Sequence, residues 1–425
     1  MKRYYGSKQT LAEPVEKITL DDHVVSKKRI FFIALFLCLG FGAFAYAFTH
    51  LGGSEEGWQT VTIDKIADVS SSYDFTFLYE FGKGKTSARR ERNSLVSEYR
   101  TLTERAYKVF DRRAEYAGIG NLCTVNRHPN EEVKVEPELY RALETCLKYD
   151  EKLLYLGALS ESLDALITSD GAEALKEYDP YSDEAAMKFF LETAEHAGNG
   201  AVSLTLRGEN KVFLYVSDEY MAFARENDIV DFIDFGWARN AVIADYLADE
   251  LVKKGFTHGI LQSYDGFIRN FCEGEEEFAY ALTFAVNNAG HFHAGEMKYK
   301  GKKSIVWLHD YAANRAESDY RVLELSDGRK RHTYLGTDGL PKSALSDMLI
   351  WSENGSCAEI SLQMAQYYIS DSWQAEDAYE TAGQLKIGLM TCSDGALICN
   401  DPAVSVPAPK SYGDIVFRLE LRASE

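Results

Sequence analysis

One short segment carries carboxylates at both ends and is the stretch best suited to chemistry. Ile233-Asp234-Phe235-Gly236-Trp237-Ala238-Arg239-Asn240-Ala241-Val242-Ile243-Ala244-Asp245 reads as a buried strand that turns sharply into a helix. A turn of this kind leaves backbone N–H groups free at a helix N-terminus, where a phosphate or metal-phosphate is well placed. A second strand, Gly259-Ile260-Leu261-Gln262-Ser263-Tyr264-Asp265-Gly266, follows and adds the carboxylate of Asp265. Further along, His332 is the best general-base candidate, because an imidazole titrates near neutrality and can take a hydroxyl proton. Each has a plainer reading: Asp234 as an N-cap, Asp265 as a turn residue, His332 as an exposed side chain in a basic turn. His291 and His293 share one face of any strand there, but with no third ligand nearby they read as ordinary strand residues.

The elements that must position these residues are partly legible. Tyr73 to Phe81 alternates like a strand, and the basic run from Lys83 to Arg92 reads as a solvated turn entering a helix. Ser94 to Tyr116 has helical spacing, with Leu95, Tyr99, Leu102, Ala106 and Val109 on one face. Pro137 to Leu156 is a second amphipathic helix with proline near its first turn. Val202–Leu206 and Lys211–Val216 predict a hairpin around Gly208-Glu209-Asn210. Ala241 to Lys254 is the helix after the key turn, closed by Gly255. Strands at Ser304–Leu308, Tyr320–Leu325 and Ile415–Leu421, with a helix near Glu359–Tyr368, complete a mixed order with few βαβ units. That order points to an α+β fold.

With 425 residues, 46% hydrophobic and 13% aromatic, the chain can bury a sizeable core and is not a disordered one. A net charge of −20 argues against nucleic acid as a partner, since phosphate backbones require a concentrated basic face. Ile30 to Phe48 is an uninterrupted apolar run preceded by Lys27, Lys28 and Arg29 and followed by Glu55 and Glu56. Its length suits a bilayer, and the charge asymmetry predicts a cytoplasmic N-terminus. The expected organisation is therefore a cytoplasmic segment at 1–29, an uncleaved single-pass anchor at 30–50, a linker at 51–72 and an outward-facing domain at 73–425. Six of the seven cysteines lie outside the apolar run and lack metal-type spacing; Cys392 and Cys399 flank a turn, with buried free thiols the plainer reading.

Asp234-Phe-Gly-Trp-Ala-Arg-Asn-Ala-Val-Ile-Ala-Asp245 resembles, without a gap, the D-L-G-G-I-A-K-G-Y-A-V-D signature of ApbE-type FAD:protein FMN transferases. Other weak matches follow in family order. Tyr116 through Asn126 is similar to a tyrosine-to-asparagine segment, and Leu156-Gly157-Ala158-Leu159-Ser160 to a G-A-F-D loop. Ser263-Tyr264-Asp265 stands in the place of G-G-D. Asp319-Tyr320, Gly328 through His332 and Gly339-Leu340-Pro341 resemble a Y…G-K-R-Y-H-H-I-x-D-P-x-T-G-x-P block. The resemblance runs from about Tyr73 to about Tyr368.

The resemblance implies Mg²⁺-dependent cleavage of FAD and transfer of FMN to a threonine hydroxyl of an acceptor protein, outside a bacterial cell membrane. It places Tyr116, Ala158, Leu159, Ser160, Asp234, Asn240 and Asp265 around the flavin nucleotide and His332 as base. For the metal it offers the Trp237 backbone carbonyl, Glu359 and Gln363, the last two at a family D-x-x-x-T; Trp237 also reads as a filler of the flavin pocket. The family lysine falls on Asn240, its glycines on Trp237 and Ala241, and the G-G-D glycines on Ser263 and Tyr264. Two further readings follow from these departures: a catalytically degenerate relative that binds flavin or a membrane partner, and a surface interaction domain without a nucleotide.

Overall fold

Alternation decides how the central sheet faces its two neighbours. In the computed structural model, which describes residues 56–422 apart from 65, 67–74, 85, 169–177, 287–289, 312–321 and 325–329, nine strands form one sheet. Their order across it is Gly57–Val61, Phe75–Phe81, Gly259–Ser263, Phe267–Asn270, Lys303–His309, Asp347–Ser352, Gly388–Ser393, Ala396–Cys399 and Arg418–Leu421. All neighbours pair antiparallel except the last two, which run parallel. Asp347–Ser352 is buried along its whole length. Met348 and Ile350 enter the main core with the helices, while Leu349 and Trp351 enter a second core. The second core is covered by a long hairpin, Glu277–Ala285 and His291–Lys300, through Leu282, Phe284 and Met297. Helices on one face and a hairpin on the other make the α+β fold that the mixed element order predicts.

The helical layer is built around Arg239–Lys253, whose Ala241, Ile243, Ala244, Leu247, Ala248 and Leu251 are all buried. Ala88–Phe110 packs on it through the apolar stripe at Leu95, Tyr99, Leu102, Ala106 and Val109. Cys357–Tyr368 packs on it as well and also lies on the sheet. A smaller core joins Leu156, Leu159, Leu163, Phe190, Ala194 and Leu335.

Several expectations need correction, while the hairpin and the unpaired thiols hold; Ile233–Phe235, expected as a buried strand, is buried but belongs to no strand. The linker at 51–72 contains an edge strand: Gly57–Val61 pairs with Phe75–Phe81, and the compact unit begins at Glu56. Pro137–Leu156 is two helices, Pro137–Tyr149 and Glu151–Leu154, because Asp150 leaves helical backbone and turns its carboxylate onto the Leu153 N–H. Ile415–Leu421 is likewise two short strands in different sheets, with buried Phe417 between them. The helix after the key turn starts at Arg239, ahead of Ala241, because a 3-10 turn over Gly236–Ala238 feeds straight into it. The hairpin at Val202–Leu206 and Lys211–Val216 forms in register, joined by Glu132–Lys134. Cys392 and Cys399 are unpaired thiols, opposite Leu397 and Met390 respectively. The apolar run at 30–48, Tyr73, Asp319-Tyr320 and Gly328-Arg329 lie outside the described residues. Among the described residues no helix is long and apolar enough to cross a membrane.

Candidate functional site

The approach to the Gly236 turn is fixed by side chain–backbone bonds. The Asn126 amide oxygen accepts from the Phe232 and Ile233 N–H groups at 3.0 Å each, and its Nδ2 donates to the Ile233 carbonyl at 2.9 Å. The Asp234 N–H donates to the Leu154 carbonyl at 3.0 Å. Gly157 packs against this segment so closely that a Cβ would lie 2.7 Å from the Ile233 carbonyl carbon. Gly236 has φ +51°, in the left-handed region, with Ser160 Oγ 3.1 Å from where its Cβ would be.

Beneath the turn sits Arg112, which sequence reasoning missed. Its guanidinium donates to Asp234 Oδ2 at 2.8 Å and to Asp164 Oδ2 at 3.0 Å, and its Nε lies 3.2 Å from Asp231 Oδ2. Arg112, Asp231 and Asp234 are all buried. Burial pushes the Asp231 carboxyl up to about 7, although Arg112 pulls it the other way. The available signal was two aspartates in an apolar segment, since buried carboxylates require a cation or a dense set of donors. Asp234 Oδ2 also accepts from the Gly236 N–H at 3.2 Å. A donor expected to face a phosphate is therefore bonded to the chain's own carboxylate.

The other acidic residues are similarly engaged. Asp245 accepts from the Cys357 and Ala358 N–H groups at 2.9 and 2.8 Å and lies 3.1 Å from Arg269 Nε, so it caps the Cys357–Tyr368 helix. Asp265 Oδ2 accepts from Asn240 Nδ2 at 2.9 Å, with both residues buried. Ser263 Oγ accepts from the Phe267 N–H at 2.8 Å and locks that hairpin. Glu359 Oε2 accepts from the Ser356 N–H at 3.0 Å while Ser356 Oγ accepts from the Glu359 N–H at 3.2 Å, a capping box. Glu359 Oε1 accepts from the Tyr149 hydroxyl at 3.3 Å. Gln363 donates back to the Glu359 carbonyl at 3.0 Å.

This donor set does not fit the Mg²⁺ that the resemblance implies. Magnesium takes oxygen ligands in a near-octahedral array, one or two of them carboxylates whose lone pairs are not already committed. Glu359 holds a helix N-terminus, and Gln363 presents an amide in place of threonine. Among the described residues, no three His, Cys, Asp or Glu side chains are placed to hold a metal. Trp237 is 2% exposed, its ring 5.8 Å from that of Tyr334, which in turn lies 5.1 Å from Tyr368. Its indole is thus packed among buried aromatic rings.

His332 ends the strand Lys330–His332 and is 7% exposed, against the plainer reading of an exposed histidine. Burial, with the charges of Arg331 and Lys330 beside it, pushes its imidazole down to about 4. It is therefore neutral at physiological pH but a weak base. The cations beside it are paired: Arg331 donates twice to Asp179, at 2.6 and 2.9 Å, and Lys330 donates to Asp310 at 3.3 Å. Gly339-Leu340-Pro341 keeps its glycine at φ +82° against Phe190 and Ala194, and the Tyr181 hydroxyl donates to the Pro341 carbonyl at 2.6 Å.

Tyr116 donates to Asp111 Oδ2 at 2.6 Å. Ala158, Leu159 and Ser160 form the first turn of a helix, Gly157–Thr168, and are buried, where a ligand loop was expected; Leu159 sits in the third core. What the structure brings together instead is an open cleft of about 600 Å³, walled by Trp237, Leu156, Leu335, Leu362, Gln363 and Ile369. Lys152, Lys342, Asp150 and Asp371 also line it. Of the residues singled out from sequence, Trp237 and Gln363 line the cleft. Tyr116, Ala158, Leu159, Ser160, Asp234, Asn240, Asp265, His332 and Glu359 do not.

No protein-family model matches the chain, and no curated protein matches it. Among solved structures it is similar to the flavin transferase ApbE from Vibrio cholerae, with 13% identity, 81% of this chain and 93% of that one covered, and a TM-score of 0.49. It is similar to the ApbE protein of Thermotoga maritima at 13% identity, covering 78% and 93%, with a TM-score of 0.49. The flavinyl transferase ApbE of Pseudomonas stutzeri gives 14% identity, 74% and 86% coverage, and a TM-score of 0.46.

Proposed function

We propose that this chain is a catalytically degenerate ApbE-like protein that binds a flavin in the Trp237 cleft and does not transfer FMN. The observation that carries this reading is the engagement of the acidic residues. Asp234 is bonded to Arg112 and Gly236, Asp245 to a helix N-terminus, Asp265 to Asn240, and Glu359 to Ser356 and Tyr149. Cleaving a pyrophosphate requires a cation that neutralises developing charge and a base within reach of the acceptor hydroxyl. The chain's own bonds take both carboxylate oxygens of Asp245 and of Glu359 and the Oδ2 atoms of Asp234 and Asp265. The buried Asp234 Oδ1 is left without a hydrogen-bond partner, and His332 does not line the cleft. Flavin binding is supported by the ordered motif resemblance and by a cleft within the roughly 300–1,000 Å³ of ordinary small-molecule sites, with Trp237 among its lining residues. The run at 30–48 favours a membrane-anchored protein whose binding domain faces outward.

His332 Nδ1 is buried without a hydrogen-bond partner, which favours a second reading in which proton transfer to this ring is retained. One experiment separates the two. Full-length protein is incubated with FAD, Mg²⁺ and a threonine-bearing acceptor domain, and both chains are weighed by intact-mass spectrometry while bound flavin is read by absorbance. Flavin bound without an FMN increment on the acceptor is the expected result. An increment abolished by His332→Ala overturns it in favour of transfer, and protein that binds no flavin overturns both readings.

A further inference from the structure

The basic run from Lys83 to Arg92 takes no part in the cleft or in the Gly236 turn. It joins the strand Phe75–Phe81 to the helix Ala88–Phe110. Lys83, Arg89, Arg90 and Arg92 are exposed there, and Lys85 lies outside the described residues. Among the described residues, no ion pair or side-chain hydrogen bond engages Arg89 or Arg90. Both stand in the first turn of a helix whose cap residue, Ser87, makes no side-chain bond. A helix N-terminus carries partial positive charge, so cations at this end gain nothing from the fold. A local rule broken on an exposed surface is the mark of a binding face. The acids around the run are partly taken. Glu80 lies 3.5 Å from Lys83, and buried Glu91 accepts from the Tyr79 hydroxyl and the Gly82 N–H at 3.0 Å each. Exposed Glu56 packs beside Gly82. At the surface, four cations against Glu56 and Glu80 leave an excess of positive charge on a chain of net charge −20.

The run also lies at the end of the sheet where the compact unit begins. Gly57 pairs with Phe81, next to the run, and Arg92 Nη1 donates to Gln59 Oε1 at 2.7 Å. Trp58, 39% exposed, stands opposite Glu80 in the same strand pair. An exposed indole beside a basic face suits the boundary between lipid headgroups and water. Only Thr49 through Glu56 separate the apolar run ending at Phe48 from Gly57, and eight residues reach at most about 30 Å. A tether that short holds the cations at high effective concentration over any bilayer that the apolar run crosses. Each cation near an anionic surface strengthens association about fivefold. We propose that the face formed by Lys83, Arg89, Arg90, Arg92 and Trp58 docks on anionic phospholipid headgroups, an inference that rests on the membrane-anchored reading above.

The test reconstitutes full-length protein into vesicles of phosphatidylcholine, alone or mixed with phosphatidylglycerol, and checks incorporation by flotation. Amide hydrogen exchange over residues 82–93 is then read by mass spectrometry. Exchange is expected to be at least about threefold slower in the phosphatidylglycerol vesicles at low salt, with the difference lost at high salt. An Arg89→Gln/Arg90→Gln variant changes two exposed positions and is expected to lose most of the slowing while unfolding at no lower temperature than the wild type. Equal exchange in the two kinds of vesicle overturns the inference and leaves the anchored reading standing. Slowing that persists undiminished in the variant places the docking face elsewhere and overturns it as well. Protein that floats with neither kind of vesicle overturns the anchored reading and the inference with it.

Discussion

The Gly236 turn and the cleft walled by Trp237 are a few residues apart in sequence and opposite in physical character. At the turn, charged side chains are bonded to one another: buried Arg112 meets three carboxylates, two of them buried, and Asn126 holds the backbone of Phe232 and Ile233 by three bonds. In the cleft the walls are apolar or charge-balanced, and about 600 Å³ stays open. Asp234 and Gly236 fall on the first side, whereas Trp237, the next residue, lines the open volume on the other.

The largest expected effect attacks that turn. Arg112→Met leaves Asp231 and Asp234 buried with no counter-charge, and breaking one side of a buried ionic cluster costs about 3–5 kcal/mol. Urea denaturation at neutral pH checks this. A loss under about 1 kcal/mol would mean the cluster is solvated and that Asp234 is free for a ligand after all.

A second buried acid, unconnected to the motif, sharpens the comparison through pH. Asp347 lies opposite His309 across two antiparallel strands and accepts from the Ala285 N–H at 3.0 Å. Burial pushes its carboxyl up to about 8. A group whose folded value is raised above its unfolded value stabilises the fold fully below the unfolded value. That contribution is lost as pH rises through the folded one. Stability should accordingly fall by about 4 kcal/mol between pH 5 and pH 8 from this residue, with Asp347→Asn flattening that part of the curve. His332 acts with the opposite sign at lower pH. Its folded value, pushed down to about 4, makes stability fall as pH drops from the ordinary histidine range toward 4. An Asp347→Asn curve identical to that of the wild type would place the carboxyl in water.

Much of the scaffold was legible because its signals are local. The alternation of Phe75, Phe77, Tyr79 and Phe81, the hairpin around Gly208-Glu209-Asn210 and the apolar stripe from Leu95 to Val109 each need only neighbours in sequence. The turn into a helix at Gly236 was legible for the same reason, but the strand expected before it is a buried irregular segment held by Asn126. Breaks set by one side chain were not: Asp150 ends a helix by capping the next, and Phe417 splits a strand by entering a core. The candidate site was less legible still. Its cleft is assembled from Tyr149–Leu156, Trp237, Leu335–Lys342, Leu362–Asp371 and Thr381–Leu385, segments whose meeting no spacing rule predicts. Arg112 was invisible for that reason, since its partners lie 52 and 122 residues away.

A smaller effect tests the geometry of the turn itself. Gly236→Ala places a Cβ in left-handed backbone 3.1 Å from Ser160 Oγ. The expected loss is about 1–2 kcal/mol by thermal or urea unfolding, partly relieved in a Gly236→Ala/Ser160→Ala double variant. If the double variant is no more stable than the single, backbone strain alone accounts for the loss.

The smallest stability effect decides most about the chemistry. Glu359→Ala removes one arm of the capping box on Cys357–Tyr368 and should lower stability by about 1 kcal/mol in buffer with or without magnesium. A metal ligand behaves differently, because a ligand that binds only the folded state stabilises it by RT ln(1 + [L]/Kd), about 2.7 kcal/mol at a hundredfold excess over Kd. The wild-type melting temperature is therefore expected not to move on adding millimolar MgCl2, and the cost of Glu359→Ala is expected to be independent of it. A magnesium-dependent rise that disappears in Glu359→Ala would mean the carboxylate leaves its cap to bind the ion. The cleft and the turn would then belong to one working site, and the contrast between them would fail.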